Sequence, residues 1–243
     1  MKLNEPIELF KEFKGPYIQT MPKLIKEGRS LLSVAGLMHL RLEALTASEE
    51  VKKFWWNSSF DTGDAVFYNP YGDFKVILDA QLMDYIDYPH PKRYLDEGSL
   101  IIHDNLYVLD GTEFTKNEIE RYHIANRTCQ LGDKCNTKDE AKSNPIWKAL
   151  ARENQALLNE YVDAVFSQAK EQGYDKNMEV LLAPPKRAPT AMLWRINSLN
   201  ITEGSRIQSE ADGRAELDFW KGYLIGIAPE VAWCAEKVLF KKP

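Results

Sequence analysis

Residues 54–80 read FWWNSSFDTGDAVFYNPYGDFKVILDA, and this stretch decides the fold. Its first part continues a helical pattern, whereas residues 65–68 and 74–78 are runs of strand-forming residues in which alternate side chains share one face. The four residues between these two runs, Asn-Pro-Tyr-Gly at 69–72, are typical of a turn. The stretch therefore predicts a helix that leads into a β-hairpin.

The turn also predicts a register for this hairpin. If the turn is centred on residues 69–72, Phe67 pairs with Phe74, and Asp64 lies opposite Ile77. One face of the hairpin is then apolar and faces the core, because side chains alternate between the two faces of a strand.

Helical patterns stand on both sides of the hairpin. Ser33 is a good N-cap for a helix over residues 34–45 that is apolar nearly all round, which is typical of a buried helix. Asn144 and Pro145 are favoured at a helix start, and apolar residues recur at three- and four-residue spacing after them. We therefore predict one long central helix near 145–172.

Most strands are predicted as neighbouring pairs, at residues 99–102 with 106–109 and at 205–210 with 214–219. Paired strands without a regular alternation of strand and helix favour an α+β fold, with antiparallel hairpins packed with several amphipathic helices. The sequence contains neither GxxxxGK[ST] nor GxGxxG, so nucleotide and dinucleotide cofactors lose support.

The length of 243 residues suits one large domain, and we predict a single α+β domain over 1–243. The polar segment 126–142 is the best candidate for an exposed loop or for a boundary between two subdomains.

Charge and composition restrict the partners and the compartment. The net charge of −5 disfavours nucleic acid as a partner, because binding to it depends on neutralising phosphates. No apolar run approaches the roughly 20 residues that a membrane span needs, so no membrane association is expected. The N-terminus lacks the apolar core of a signal peptide, and three Cys suit a reducing compartment. We expect a soluble cytoplasmic protein of undetermined oligomeric state.

Phe60-Asp61-Thr62-Gly63 resembles the active-site motif of aspartic proteases. Those enzymes need two carboxylates that share one proton, so a chain with a single motif would have to dimerise. The motif departs from the family where Asp64 follows the glycine and where a helix precedes it. A turn is the simpler interpretation.

Three carboxylates gather at the open end of the predicted hairpin, those of Asp61, Asp64 and Asp79. Carboxylate oxygens are ligands for Mg²⁺ or Ca²⁺, so the cluster predicts a metal-dependent phosphoester hydrolase. The structural alternative is an ordinary solvated hairpin end.

A second candidate for a metal site is His123 with Cys129 and Cys135. Imidazole and thiolate are suitable ligands for Zn²⁺, although the five-residue gaps are longer than those of a usual zinc knuckle. A disulfide between the two cysteines and a pair of ordinary loop thiols are the alternatives.

Aromatic and basic residues form the last candidate site. Trp55, Trp56, Tyr68 and Arg195 belong to residue types that dominate binding hot spots, and they could form a surface for a protein or peptide. The alternative is that most of these rings belong to the core. The leading hypothesis is a soluble, non-catalytic binding or interaction protein with an aromatic-rich surface, and the metal-dependent hydrolase is the alternative.

Overall fold

The computed structural model describes residues 10–15, 17–69, 73–80, 95–96, 99–101, 111–115, 124–125, 130–135, 137–173, 178–182, 190–196, 205–209 and 222–227. The helices in this part of the chain are α1 (Tyr17–Lys26), α2 (Val34–Ala44), α3 (Glu49–Trp56), α4 (Lys138–Ser143), α5 (Pro145–Leu150) and α6 (Gln155–Glu171). The strands are β1 (Phe10–Gly15), β2 (Ser30–Leu31), β3 (Phe60–Tyr68), β4 (Phe74–Ile77), β5 (Leu95–Asp96), β6 (Ser99–Ile101), β7 (Thr112–Phe114), β8 (Ile124–Ala125), β9 (Gln130–Cys135), β10 (Met178–Leu182), β11 (Thr190–Ile196), β12 (Ser205–Ser209) and β13 (Gly222–Ile227).

The strands pair mainly antiparallel, and the predicted α+β class is confirmed. The main path of hydrogen-bonded strands is β1-β13-β3-β11-β12-β10-β9-β8, and β2, β4, β5, β6 and β7 join it from the side. Parallel pairing occurs between β10 and β12 and between β13 and β3. Strand β3 pairs with three strands, β13, β11 and β4, and all nine of its residues are buried.

Helix α2 is the helical centre of the core, as its apolar sequence predicted. Val34, Leu37 and Met38 are fully buried, and the helix packs against α6 and α3. The predicted cap is confirmed, because the Ser33 side chain accepts a hydrogen bond of 3.0 Å from the Gly36 N–H.

The single long helix predicted near 145–172 is wrong in one respect, because it is divided into α5 and α6. Arg152 and Glu153 both have φ of 57°, a left-handed conformation that no helix can continue through. The Asn154 side chain then accepts a hydrogen bond of 3.1 Å from the Leu157 N–H and begins α6. Arg and Glu favour helix, so their types gave no sign of this break.

The register predicted for the first hairpin is wrong by one residue. Phe67 pairs with Lys75, and Tyr68 pairs with Phe74. The cause is the closure of the loop, in which the Asn69 and Asp73 backbones pair at 2.9 Å and the Asn69 side chain accepts from the Asp73 N–H. A shift of one residue exchanges the faces of one strand relative to its partner.

The polar segment 126–142 is not a loop throughout. It contains β9, whose residues 131–135 pair with β10, and the start of α4. Thr137 and Glu140 form a reciprocal capping box at the start of α4, which accounts for the polar character of this part. The subdomain boundary in this segment stays a prediction. The strand partners predicted at 106–109 and 214–219 lie outside the described residues.

Within the described residues, no helix combines the length and the apolar character that crossing a membrane requires.

Substitution of Asn144 tests how much the helix caps contribute to the free energy of unfolding. The buried side-chain oxygen of this residue accepts hydrogen bonds of 3.0 Å from the N–H groups of Ile146 and Trp147, so Asn144→Ala leaves two buried donors unpaired. We expect the free energy of unfolding to fall by about 1–2 kcal/mol in guanidinium denaturation. Asn154→Ala is the matched control, since that cap is only partly buried and accepts one bond. Equal losses in the two variants would contradict this account.

Candidate functional site

Thr62, Gly63 and Asp64 of the FDTGD motif form a bulge in β3. Ala65 pairs with Leu193 and Asp61 pairs with Arg195, so the three residues 62–64 stand opposite Trp194 alone. Bulges of this kind interrupt the ladder and change the direction of the side chains beside them.

Other hydrogen bonds replace those that the bulge removes from the ladder. The Thr62 hydroxyl donates to the Trp194 carbonyl at 2.9 Å. The Gly63 N–H donates to the Leu32 carbonyl at 2.9 Å, and the Gly63 carbonyl accepts from the Ala80 N–H at 2.8 Å. A Cβ at position 63 would lie 3.0 Å from the Leu31 Cβ, so any other residue here would require Leu31 to move by a few tenths of an ångström. The bulge thereby joins β3 to β11, to Leu32 just after β2, and to Ala80 just after the turn that follows β4.

Asp61 forms an ion pair with Arg195, the residue opposite it in β11 at the edge of the bulge. Its Oδ1 accepts from the Arg195 Nε at 2.6 Å. The Asp61 side chain is 1% exposed and the Arg195 side chain 22%, so the pair has a buried anion and a cation that reaches the surface. The buried carboxylate orients the guanidinium, because a charge-assisted hydrogen bond has strict geometry.

Asp64 has a different environment from Asp61. Its Oδ2 accepts from the Val34 N–H at 2.7 Å, and its Oδ1 accepts from the Asp79 N–H at 2.9 Å. Burial raises the pKa of Asp64 to about 6, although the two backbone hydrogen bonds and the charge of Arg152 act in the opposite direction. The Asp79 carboxylate is more than half exposed and pairs with Arg152.

The structure does not bring the three predicted acidic ligands together. Asp61 binds Arg195, Asp64 binds two backbone N–H groups, and Asp79 reaches Arg152 at the surface. Among the described residues, no three acidic, histidine or cysteine side chains are grouped so that they could hold a metal ion. The bulge is the physical reason, since it separates Asp61 from Asp64 and gives each its own partners.

The protease interpretation of the same motif also fails on this geometry. A protease carboxylate must share a proton with a second carboxylate, whereas Asp61 is bound to a guanidinium. Asp61 is therefore a structural anion of the sheet.

The predicted zinc ligands are only partly within the described chain. Cys135 is the last residue of β9, opposite Met178 of β10. His123 and Cys129 lie outside the described residues, so the zinc site stays a prediction.

The structure corrects the predicted aromatic surface. Trp55 is 4% exposed, Trp56 1% and Tyr68 2%, so all three rings belong to the core and are closed to a ligand. The Trp56 Nε1–H donates to the Arg41 carbonyl at 2.8 Å, and its ring stacks on Tyr161 at 6.1 Å. Of this predicted set, Arg195 reaches the surface.

No sequence pattern predicted a role for Arg41, which is fully buried. Its Nε donates to the Trp55 carbonyl at 2.9 Å, its Nη1 to the Tyr161 hydroxyl at 2.9 Å and its Nη2 to the Ser58 carbonyl at 3.0 Å. The available signal was its position: Arg41 follows the buried Leu37 by four residues and so lies on the same face of α2.

Removing Asp61 tests the ion pair. Asp61→Ala leaves the Arg195 guanidinium without its buried counter-ion, and we expect the free energy of unfolding to fall by about 2–4 kcal/mol. Lys52→Ala breaks the surface pair between Lys52 and Glu171, whose nitrogen and oxygen are 3.8 Å apart, and should cost less than about 1 kcal/mol. Both are measured by chemical denaturation at one pH. If Asp61→Ala costs no more than the surface control, the ion pair does not stabilise the sheet.

Comparison with known proteins identifies a fold and no family. No protein-family model matches the chain, and no curated protein matches it. A solved structure from work on the accommodation of massive sequence variation in Nanoarchaeota by the C-type lectin fold is similar. The TM-score is 0.55 at 10% sequence identity, and the match covers 93% of this chain and 98% of the other. At this identity the likeness concerns the fold alone: this chain is similar to a C-type lectin fold.

Proposed function

We propose that this chain is a non-catalytic binding protein, in which a C-type lectin fold holds a recognition surface for a protein or peptide partner. The observation that carries the proposal is the likeness to a C-type lectin fold over nearly the whole of both chains. The Nanoarchaeota protein accommodates massive sequence variation on that fold. A scaffold that tolerates such variation suits recognition, because the surface can change while the core remains.

The interior of this chain supports the same separation of roles. The buried ionisable groups Arg41, Asp61 and Asp64 all bind partners within the fold. These bonds fix the arrangement of β3, α2 and α6, and the three buried side chains themselves are not reached by a ligand. Substitutions at exposed positions that make none of these bonds therefore leave the stabilising interactions intact.

Arg195 is the residue that we assign to the recognition surface. It stands beside the bulge, it is partly exposed, and the buried Asp61 carboxylate holds its side chain in position. A preorganised arginine loses little entropy on binding, and arginine is enriched among hot spots of protein interfaces. The net charge of −5 makes a protein or peptide a better partner than nucleic acid.

Selection from a random-peptide display library against the wild-type protein tests this function. We expect enriched peptides whose dissociation constants rise by about tenfold or more for Arg195→Lys, because lysine lacks the planar fork of donors. Binding is measured by titration calorimetry, and folding of each variant by thermal unfolding.

Arg152→Lys is the matched control for this experiment. Arg152 is also an arginine paired with an aspartate, and its side chain is 26% exposed against 22% for Arg195. Peptides that bind both variants equally well would remove Arg195 from the recognition surface. A library that yields no enrichment over a blank support would contradict the proposed function.

A further inference from the structure

Asp64 is a buried carboxylate whose charge has no direct counter-ion in the described part of the chain. It is 0% exposed, and both of its oxygens accept from backbone N–H groups, those of Val34 and Asp79. Burying a carboxylate without a bonded cation is costly, so such a group takes up a proton more readily than an exposed one. Asp61, in the same strand, avoids this cost through its bond to Arg195.

The groups that face Asp64 come from two further elements. Asp79, in the turn after β4, adds a like charge, and Arg152, between α5 and α6, adds the opposite charge. These two side chains form an ion pair with each other. Asp79 and Arg152 both have left-handed backbones, with φ of 48° and 57°, which cost energy in residues other than glycine. Several strained and charged elements therefore meet at this carboxylate.

We propose that Asp64 is a proton-controlled latch that sets the stability of the junction between β3, the N-terminus of α2, the turn after β4 and the α5–α6 connection. With a proton bound, the junction contains no uncompensated buried charge, and the Asp79–Arg152 pair has no second anion beside it. Without the proton, the buried charge opposes folding. The latch is thus tighter in mildly acidic solution than in neutral solution.

The direction of the pH dependence follows from proton linkage. Burial raises the pKa of Asp64 in the folded protein from 3.8 to about 6. The folded state therefore binds this proton more strongly than the unfolded chain does, and the resulting stability is present in acid and lost as the pH rises towards about 6. On this basis the unfolding equilibrium constant should be roughly tenfold smaller at pH 5 than at pH 7.5 through Asp64 alone.

The decisive experiment is a carboxyl ¹³C NMR titration of the wild-type protein, which requires no variant to fold. We expect the Asp64 signal to titrate with a midpoint near pH 6, whereas an exposed aspartate titrates with a midpoint of about pH 4. A midpoint for Asp64 below about 4.5 would overturn the proposal.

Two variants of the facing groups give opposite expectations. Asp79→Asn removes the like charge while its backbone N–H still donates, so the Asp64 midpoint should move to lower pH. Arg152→Gln removes the opposite charge, so the midpoint should move to higher pH. An Asp64 midpoint that neither variant moves would show that the junction does not control the latch.

Asp64→Asn connects the titration to stability. Asparagine cannot ionise at position 64. The tenfold change in the unfolding equilibrium constant between pH 5 and pH 7.5 that we assign to Asp64 should therefore be absent from chemical denaturation of this variant. Its absolute stability should also fall, because an amide has one acceptor for two N–H donors. If the variant keeps the full pH effect of the wild type, another group is responsible.

Discussion

The bulge of β3 is the constraint on which the rest of the structure depends. Three residues of β3 stand opposite one residue of β11, so the ladder cannot satisfy the backbone groups of Thr62, Gly63 and Asp64 by itself. The chain solves this locally with polar side chains and with contacts to Leu32 and Ala80. A buried strand in the middle of a sheet therefore contains two aspartates and a threonine, residue types that are rare in such positions.

The two aspartates show that burial alone does not determine the chemistry of a carboxylate. Asp61 and Asp64 are equally inaccessible, but Asp61 has a guanidinium at 2.6 Å and Asp64 has two backbone N–H groups. In the first case the neighbouring charge compensates for the lost hydration, whereas in the second the cost of burial is larger than the gain from hydrogen bonds. One residue therefore anchors a surface arginine, and the other responds to the proton concentration.

The sequence predicted those features that depend on local chemistry. Ser33 and Asn144 cap their helices as expected, because capping needs the side chain and the next few N–H groups. The apolar circumference of α2 and the position of the first hairpin were also evident. Each of these signals lies within one element or one turn and needs no distant partner.

What the sequence could not predict depends on distant partners or on small differences in loop closure. The hairpin register changed by one residue because Asn69 and Asp73 close the loop with their own hydrogen bonds. The exposure of Trp55 and Trp56 depended on which elements cover α3. The Trp56 ring lies against Arg41 and Tyr161, and the Trp55 ring lies against Phe10 and Phe60. The predicted cluster of Asp61, Asp64 and Asp79 does not form, because the prediction treated β3 as a regular strand and the bulge gives each carboxylate its own partner.

The distribution of these interactions accounts for how such a fold can be shared at 10% identity. The bonds that fix the sheet and the helices on it come from a few positions, and many of them use backbone groups, such as the carbonyls of Leu32, Trp55 and Trp194. A backbone partner is present whatever the residue type, so the neighbouring side chains can change without loss of the bond. Recognition then needs only residues that reach the surface from this frame, and Arg195 does so while its carboxylate partner stays inside. The same bulge thus fixes the interior and positions an arginine side chain at the surface.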